Sequence, residues 1–133
     1  MRRLLIVGCG DVALRAAPLL ARRYRLLGLT RSAGGHGRLR SQGIVPVPGN
    51  LDLPATLERL AGLAHAVLHL APPPNQGERD SRTANLLAAL AKSRMLPQRL
   101  VYISTTGVYG NCHGEEVFET RPLHPETARA RRR

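Results

Sequence analysis

The start of the chain combines a short apolar run, two glycines and a helical pattern in immediate succession. The run LLIV of residues 4–7 is typical of a strand that is buried on both faces of a sheet. Gly8 and Gly10 interrupt it, and apolar residues then recur at helical spacing over residues 11–23. Apolar runs and helical segments continue to alternate along the chain. This order constrains the chain to a parallel sheet with right-handed crossovers.

The alternation predicts a single α/β domain over residues 1–133, since this length suffices for one hydrophobic core. We predict strands at residues 3–7, 24–29, 44–47, 66–70 and 99–104. We predict helices at residues 11–23, 54–63 and 80–95, with a shorter helical piece before the third strand. The expected fold is a Rossmann-type, doubly wound parallel sheet of five strands in the order 3-2-1-4-5, with helices on both faces.

The two glycines belong to a longer pattern. Gly8, Gly10 and Ala13 match G-x-G-x-x-G/A between a strand and a helix, which is the context of the dinucleotide-binding fingerprint. Gly8 permits the tight turn, Gly10 lets a pyrophosphate approach the main chain, and Ala13 lets the helix pack closely on the sheet. Free N–H groups and the helix dipole then bind the phosphates. We predict a cofactor-binding turn of Gly8, Gly10, Asp11, Val12 and Ala13; the alternative is a plain turn without a ligand.

The end of the second predicted strand indicates which nicotinamide cofactor is bound. NAD sites usually place Asp or Glu there, where the carboxylate binds the ribose 2′-hydroxyl. Residues 28–32 read GLTRS and contain no carboxylate. The guanidinium of Arg31 and the hydroxyl of Ser32 suit a 2′-phosphate instead. We therefore expect NADP rather than NAD; the alternative is that Arg31 is only a solvated surface residue.

The charge of the chain raises nucleic acid as another partner. The formal net charge is +11, and all but one of the 20 basic residues are arginine. Four of these arginines lie within the last five residues, and only three Tyr and one Phe are present to stack on bases. We therefore do not expect nucleic acid binding as the primary function.

Metal and membrane binding are not expected either. Cys9 and Cys112 lack the spacing of a metal or redox pair. No stretch approaches the roughly 18 apolar residues of a membrane span, and the first apolar run is too short for a signal peptide. We expect a cytoplasmic protein.

A further motif, STTGVYG at residues 104–110, follows the last predicted strand. With it the chain resembles the short-chain dehydrogenase/reductase superfamily, in its extended or atypical branch of NAD(P)-dependent epimerases and dehydratases, which carries S-[ST]-x-x-V-Y-G after its fifth strand. The resemblance covers nearly the whole chain. It implies that Thr105 takes the place of the catalytic Ser or Thr, whose hydroxyl hydrogen-bonds a substrate carbonyl or hydroxyl. The alternative for Thr105 is a strand-end hydroxyl that satisfies local backbone groups.

The same resemblance implies further cofactor contacts. Asn50-Leu51-Asp52 follows the third predicted strand and resembles the adenine-contacting segment of the family. Asn50 and Leu51 are therefore expected beside the adenine. Ala71 and Pro72 lie where the fourth strand of the family ends beside the cofactor, and we expect them at the edge of the ribose.

The chain also departs from the family. A catalytic Tyr-x-x-x-Lys should follow the Val-Tyr-Gly element, and Arg129 and Arg133 stand at its two positions. Arginine stays protonated, so it is a poor general acid or base. The chain ends where the catalytic helix should begin, without the substrate-binding region of the family, so we expect a fragment or a shortened product. The terminal ARARRR has no apolar face and is expected to fray.

Three functions remain open from the sequence. The first is an NADP-dependent oxidoreductase, epimerase or dehydratase that uses Thr105 on an unidentified small-molecule substrate. The second is a nicotinamide-nucleotide-binding protein without catalysis, which Arg129 in place of Tyr favours. The third is a basic nucleic-acid-binding domain. The sequence does not indicate an oligomeric state.

Overall fold

Five parallel strands form one sheet in the order β3-β2-β1-β4-β5 in a computed structural model that describes residues 1–133. The strands are β1 (Arg2–Val7), β2 (Tyr24–Thr30), β3 (Ile44–Pro48), β4 (Ala66–His69) and β5 (Arg99–Tyr102). The helices are α1 (Asp11–Leu20), α2 (His36–Ser41), α3 (Ser81–Leu90) and α4 (Ala128–Arg131), with 3₁₀ segments at Ala33–Gly35, Pro54–Leu60 and Thr106–Tyr109. The predicted α/β class and strand order are confirmed.

The central strand β1 divides the core into two layers. Its alternate residues point to opposite faces because side chains alternate along a strand. Leu4 and Ile6 join the layer that α1 and α2 cover, whereas Leu5 and Val7 join the layer that α3 covers. All four residues are buried. A run that is apolar at every position is therefore what a strand between two helical layers requires.

The two edge strands of the sheet differ. On β3, Pro46 and Pro48 lack the N–H group that a further strand would need, as is typical of an edge. On β5, the apolar residues Leu100 and Val101 are exposed. β3 still contributes Ile44 and Val47 to the core, whereas β5 contributes no buried residue.

The helices are shorter than their predicted spans. Ten residues form α1 and ten form α3, and no helix is long and apolar enough to cross a membrane. After α1 the N–H of Arg23 bonds the carbonyl of Leu20, which tightens the chain into a turn. After α3 the Ser93 hydroxyl accepts the N–H of Met95, so a side chain replaces the helical partner.

The predicted helix at residues 54–63 is a 3₁₀ segment, Pro54–Leu60. The hydroxyl of Thr56 accepts the N–H of Asn50 at 2.8 Å and lies 2.7 Å from the carbonyl oxygen of Leu53. These bonds hold the segment in tight turns against the preceding loop. Leu57 and Leu60 still reach the core and are fully buried.

The end of the chain, which the sequence predicts to fray, forms the short helix α4. The side chain of Ala130 is buried, so α4 has a small apolar contact that its sequence did not suggest. Arg131 forms an ion pair with Glu78 at 3.0 Å, and Arg133 donates to the carbonyl of Ile103 at 2.6 Å. The arginines thereby attach α4 to the loops that follow β4 and β5.

We expect Leu60→Ala to lower the free energy of unfolding by about 2–5 kcal/mol, because it removes a fully buried side chain between the sheet and α3. Urea denaturation of the 133-residue chain measures the change. Leu53→Ala is the matched control, since Leu53 is 55% exposed and its truncation should cost less than about 0.5 kcal/mol. Equal losses in the two variants would contradict the described packing.

Candidate functional site

A cavity of about 390 Å³ opens at the carboxyl ends of β1, β2 and β4. It lies at the switch point of the sheet, where the strands β2 and β3 continue on one side of β1 and the strands β4 and β5 continue on the other. This point is the usual ligand site of an open parallel sheet. The glycine turn after β1 forms its floor, and the loops after β2, β3 and β4 form its walls. The lining residues are Val7, Gly8, Cys9, Leu29, Thr30, Arg31, Ser32, Gly35, Arg38, Leu39, Gly49, Asn50, Leu51, Asp52, Ala71, Pro72 and Arg82.

The two glycines of the turn have different surroundings. Gly8 has a φ of +95°, and a Cβ there would lie 2.5 Å from the backbone N of Ala71 and 2.8 Å from the carbonyl carbon of Leu70. Only glycine fits that close approach. A Cβ at Gly10, in contrast, would meet nothing within 4 Å. The space above Gly10 is therefore open to a ligand.

The first turn of α1 follows this open space. Gly10 is the N-cap residue, and no side chain caps the helix, so the N–H groups of the first turn have no partner from a capping side chain. Ala13 is fully buried and lets α1 pack close to the sheet. Asp11 pairs with Arg15 at 2.8 Å on the surface, and Val12 is exposed. None of these residues lines the cavity, although the helix that they begin is aimed at it.

Three guanidinium groups and one carboxylate line the cavity. Arg82 and Asp52 form a two-point ion pair, with Nε to Oδ1 at 2.9 Å and Nη2 to Oδ2 at 3.1 Å. The hydrogen bond from Arg82 lowers the pKa of Asp52, and the pair in turn raises the pKa of Arg82. Arg31 and Arg38 form no ion pair. The cavity therefore carries an excess of positive charge that suits an anionic ligand.

The charges of the two unpaired arginines, Arg31 and Arg38, affect different residues of the cavity. The charge of Arg31 acts on Asp52, whose pKa it helps to lower after the larger effect of Arg82. The charge of Arg38 acts on Cys9 in the glycine turn. Burial nevertheless raises the pKa of the Cys9 thiol to about 11, so this thiol stays protonated. The charge of Arg38 therefore reaches the glycine turn.

The loop after β3 forms the opposite wall. Asn50 is held through its N–H by Thr56, and its side-chain oxygen accepts the N–H of Asp52 at 2.9 Å. Leu51 is buried, and its carbonyl accepts a bond from the Asn85 amide at 2.8 Å. These bonds fix the loop against α3.

The segment after β4 closes the site. Ala71 is buried beside Gly8, and the carbonyl of Pro72 accepts a bond from Arg82 at 3.3 Å. Arg82 therefore contacts both the loop after β3 and the segment after β4. These two walls of the cavity are joined by a single side chain.

Thr105 does not line the cavity. It follows β5 and caps the 3₁₀ segment Thr106–Tyr109, where its hydroxyl accepts the N–H of Gly107 at 3.5 Å. Arg129 is exposed on α4, and the guanidinium of Arg133 lies 5.9 Å from the ring centre of Tyr102. No tyrosine lines the cavity.

A polar cluster lies beside the site, between β4, β5 and the start of α3. The hydroxyl of Thr83 donates to Asp80 Oδ2, and Tyr102 donates to the same oxygen at 3.2 Å. His69 Nε2 lies 2.7 Å from the Thr83 hydroxyl and must be the donor, because the hydroxyl proton already serves Asp80. His69 Nδ1 is buried without a partner. Burial lowers the pKa of His69 and so favours its neutral ring.

The structure brings together most, but not all, of the residues that the sequence indicated. Gly8, Arg31, Ser32, Asn50, Leu51, Ala71 and Pro72 line one cavity, whereas Gly10, Asp11, Val12, Ala13 and Thr105 do not. Sequence reasoning missed Arg38, Asp52 and Arg82 as lining residues. Asp52 belongs to the Asn50-Leu51-Asp52 segment that the sequence indicated but was not itself predicted as a contact, and neither arginine stands in a motif.

Comparisons with known proteins identify one family. Residues 14–131 match the NAD dependent epimerase/dehydratase family. No curated protein matches the chain. The matched range begins after the glycine turn, so the family match rests on the rest of the chain and is independent of the turn.

Solved structures share the fold. An epimerase-like protein from Burkholderia cenocepacia is 25% identical, with a TM-score of 0.78 over 97% of this chain and 46% of its own. An NAD-dependent epimerase/dehydratase-like protein from Methylobacillus flagellatus is 26% identical, with a TM-score of 0.75 over 98% of this chain and 47% of its own. UDP-N-acetylglucosamine 4-epimerase from Bacillus cereus is 17% identical and supports the fold alone, with a TM-score of 0.74 over 98% of this chain and 50% of its own. The chain spans about half the length of these structures.

The glycine turn provides a test of the geometry. We expect Gly8→Ala to lower the free energy of unfolding by about 2 kcal/mol or more, since the new Cβ would overlap the Ala71 backbone at a strained φ. Gly10→Ala is the matched control and should cost less than about 1 kcal/mol, because its φ of −90° suits alanine and the space is open. Denaturant unfolding compares the two variants. A larger loss at Gly10 than at Gly8 would contradict the described turn.

The polar cluster predicts a pH dependence. Burial lowers the pKa of His69 in the folded chain, whereas the unfolded chain binds this proton at a pH of about 6.5. The free energy of unfolding should therefore fall as the pH decreases below that value. Unfolding curves between about pH 7.5 and 5.5 measure the slope, which should be smaller in His69→Gln and unchanged in the exposed control His124→Gln. If His124→Gln, and not His69→Gln, removed the pH dependence of the free energy of unfolding, His69 would be excluded as its source.

Proposed function

This chain belongs to the NAD dependent epimerase/dehydratase family, and we propose that its cavity binds NADP. The observation that carries the proposal is the cavity beside the glycine turn, which contains two unpaired arginines and no unpaired carboxylate. Its volume of about 390 Å³ lies within the range of small-molecule sites. The space at Gly10 is open, since a Cβ there would meet nothing within 4 Å, so a pyrophosphate could approach the main chain.

The pyrophosphate end of the site is formed by main chain. The N–H groups at the start of α1 and the dipole of that helix favour negative charge above Gly10. Ala13 supports this by keeping the helix close to the sheet. Asp11 and Val12 belong to the turn through their backbone, since neither side chain lines the cavity.

The adenosine end supplies the preference for NADP. Arg31 and Ser32 follow β2, and Arg38 adds a second unpaired guanidinium on α2. Guanidinium groups bind phosphate with two parallel hydrogen bonds, so these residues suit a ribose 2′-phosphate. Asn50 and Leu51 would adjoin the adenine, with Ala71 and Pro72 at the ribose.

The reaction of the whole protein is a second part of the proposal. A bound nicotinamide supplies hydride transfer, as in an NAD(P)-dependent oxidoreductase, epimerase or dehydratase. The hydroxyl of Thr105 would hydrogen-bond a carbonyl or hydroxyl of a small-molecule substrate. The exposed position of Arg129, where the family has its catalytic Tyr, supports a second candidate, which is cofactor binding without turnover.

Thermal unfolding with NADPH and NADH tests binding directly. A ligand that binds only the folded chain raises the melting temperature, by an amount that grows with the logarithm of one plus the ratio of its concentration to its Kd. NADPH should raise it more than NADH at equal concentration. Gly10→Ala should lose the shift with both cofactors while it stays folded, because its methyl group occupies the phosphate position. No shift with either cofactor in the wild-type chain would refute the proposed site.

Arg31→Ala tests the 2′-phosphate contact. We expect the Kd of NADPH to rise about tenfold or more, as the loss of a charge-assisted hydrogen bond predicts, and the Kd of NADH to change little. Arg40→Ala is the matched control, since Arg40 is an exposed arginine of α2 outside the cavity. Titration calorimetry measures both constants. An equal loss for the two cofactors would refute the 2′-phosphate assignment.

Turnover separates the two candidate functions. Hydride transfer predicts a change in nicotinamide absorbance with a carbonyl or sugar-nucleotide substrate, and Thr105→Ala should reduce it. Binding without catalysis predicts thermal stabilisation by NADPH and no absorbance change.

A further inference from the structure

We propose that Arg82 determines the cofactor preference of the cavity without contacting the cofactor phosphate: it occupies both oxygens of Asp52 and thereby keeps Arg31 free. Arg82 is thus a positioning residue that acts through a carboxylate. This inference rests on the proposed binding of NADP.

The geometry of the pair is the first support. Arg82 Nε and Nη2 each donate to a different oxygen of Asp52, at 2.9 and 3.1 Å, and Nη1 donates to the carbonyl of Pro72. A planar guanidinium with three donors engaged has its orientation fixed. The Arg82 side chain is the more buried partner, at 24% exposed against 43% for Asp52. The pair is therefore built into the cavity wall.

The position of Arg31 is the second support. Arg31 lines the same cavity as Asp52, and its charge helps to lower the pKa of that carboxyl after the larger effect of Arg82. Despite this proximity, Arg31 forms no ion pair. Arg31 and Arg82 therefore line the same cavity as Asp52, and only Arg82 forms an ion pair with its carboxylate.

Removal of Arg82 would leave the carboxylate of Asp52 without its ion-pair partner. An unpaired Asp52 would attract the guanidinium of Arg31 and would repel a phosphate in the same cavity. NADPH would then have to displace Asp52 from Arg31 before it could bind. NADH lacks the 2′-phosphate and would not meet this obstacle.

The experiment measures the Kd of NADPH and NADH for Arg82→Gln, for Asp52→Asn and for the double variant. Arg82→Gln should weaken NADPH about tenfold and NADH by less than about threefold. The double variant should regain the wild-type preference for NADPH, because no carboxylate remains to bind Arg31. Asp52→Asn alone should keep that preference.

The double variant distinguishes this role from a structural one. It lacks the ion pair entirely, so a merely structural contribution of Arg82 would stay lost in it. Arg82→Lys should preserve the preference, since it keeps a positive charge beside Asp52. Arg79→Gln is the matched control, because it removes an exposed arginine just before α3 that lies outside the cavity.

The possible outcomes separate the two proposals. A wild-type chain without a preference for NADPH overturns the proposed function together with this inference. A wild-type preference that Arg82→Gln leaves intact overturns the inference alone. The inference alone is also overturned if Arg82→Gln weakens the binding of NADPH and NADH equally and the double variant does not recover the preference for NADPH. If Arg82→Gln does not fold, the double variant and Arg82→Lys decide the question by the same comparison.

Discussion

The close approach of the turn after β1 to the segment after β4 is the constraint on which the site depends. Ala71 N lies 2.5 Å from the position of a Cβ on Gly8, so the turn passes against the backbone of its neighbour. The N–H groups of Leu70 and Ala71 both bond the carbonyl of Val7, which ties the two chain segments together. Because β1 and β4 are held in contact, Gly8 and Ala71 lie side by side in the wall of the cavity.

The electrostatic character of the site arises from side chains that converge from different elements. Arg82 on α3 neutralises Asp52 in the loop after β3, and its third hydrogen bond reaches the segment after β4. The positive charge that remains unpaired comes from Arg31 and Arg38, which follow β2. A chain with an overall charge of +11 could place arginines anywhere, but the pairing within the cavity determines which of them can meet an anion.

The sequence was sufficient for the fold and for one side of the site. The doubly covered sheet followed from uninterrupted apolar runs such as residues 4–7, because a strand covered by helices on both faces leaves no polar position. The strand order followed from the Rossmann-type fold that the alternation of strands and helices indicated. Helix ends were less predictable, since local bonds such as the one from Met95 to Ser93 decide them. The Arg82–Asp52 pair joins residues 30 positions apart, and only the folded arrangement of α3 over the β3 loop brings them together.

The location of Thr105 follows from the same topology. The glycine turn and the arginines belong to β1, β2 and α2, whereas Thr105 follows β5 at the edge of the sheet. Leu100 and Val101 of β5 are exposed at the same edge. Arg133 attaches the end of the chain to this edge through its bond to the carbonyl of Ile103. The chain spans about half the length of its solved relatives, and the candidate cofactor cavity lies at β1, β2 and β4. Thr105, for which the family resemblance implies chemistry, lies instead at the β5 edge of the sheet.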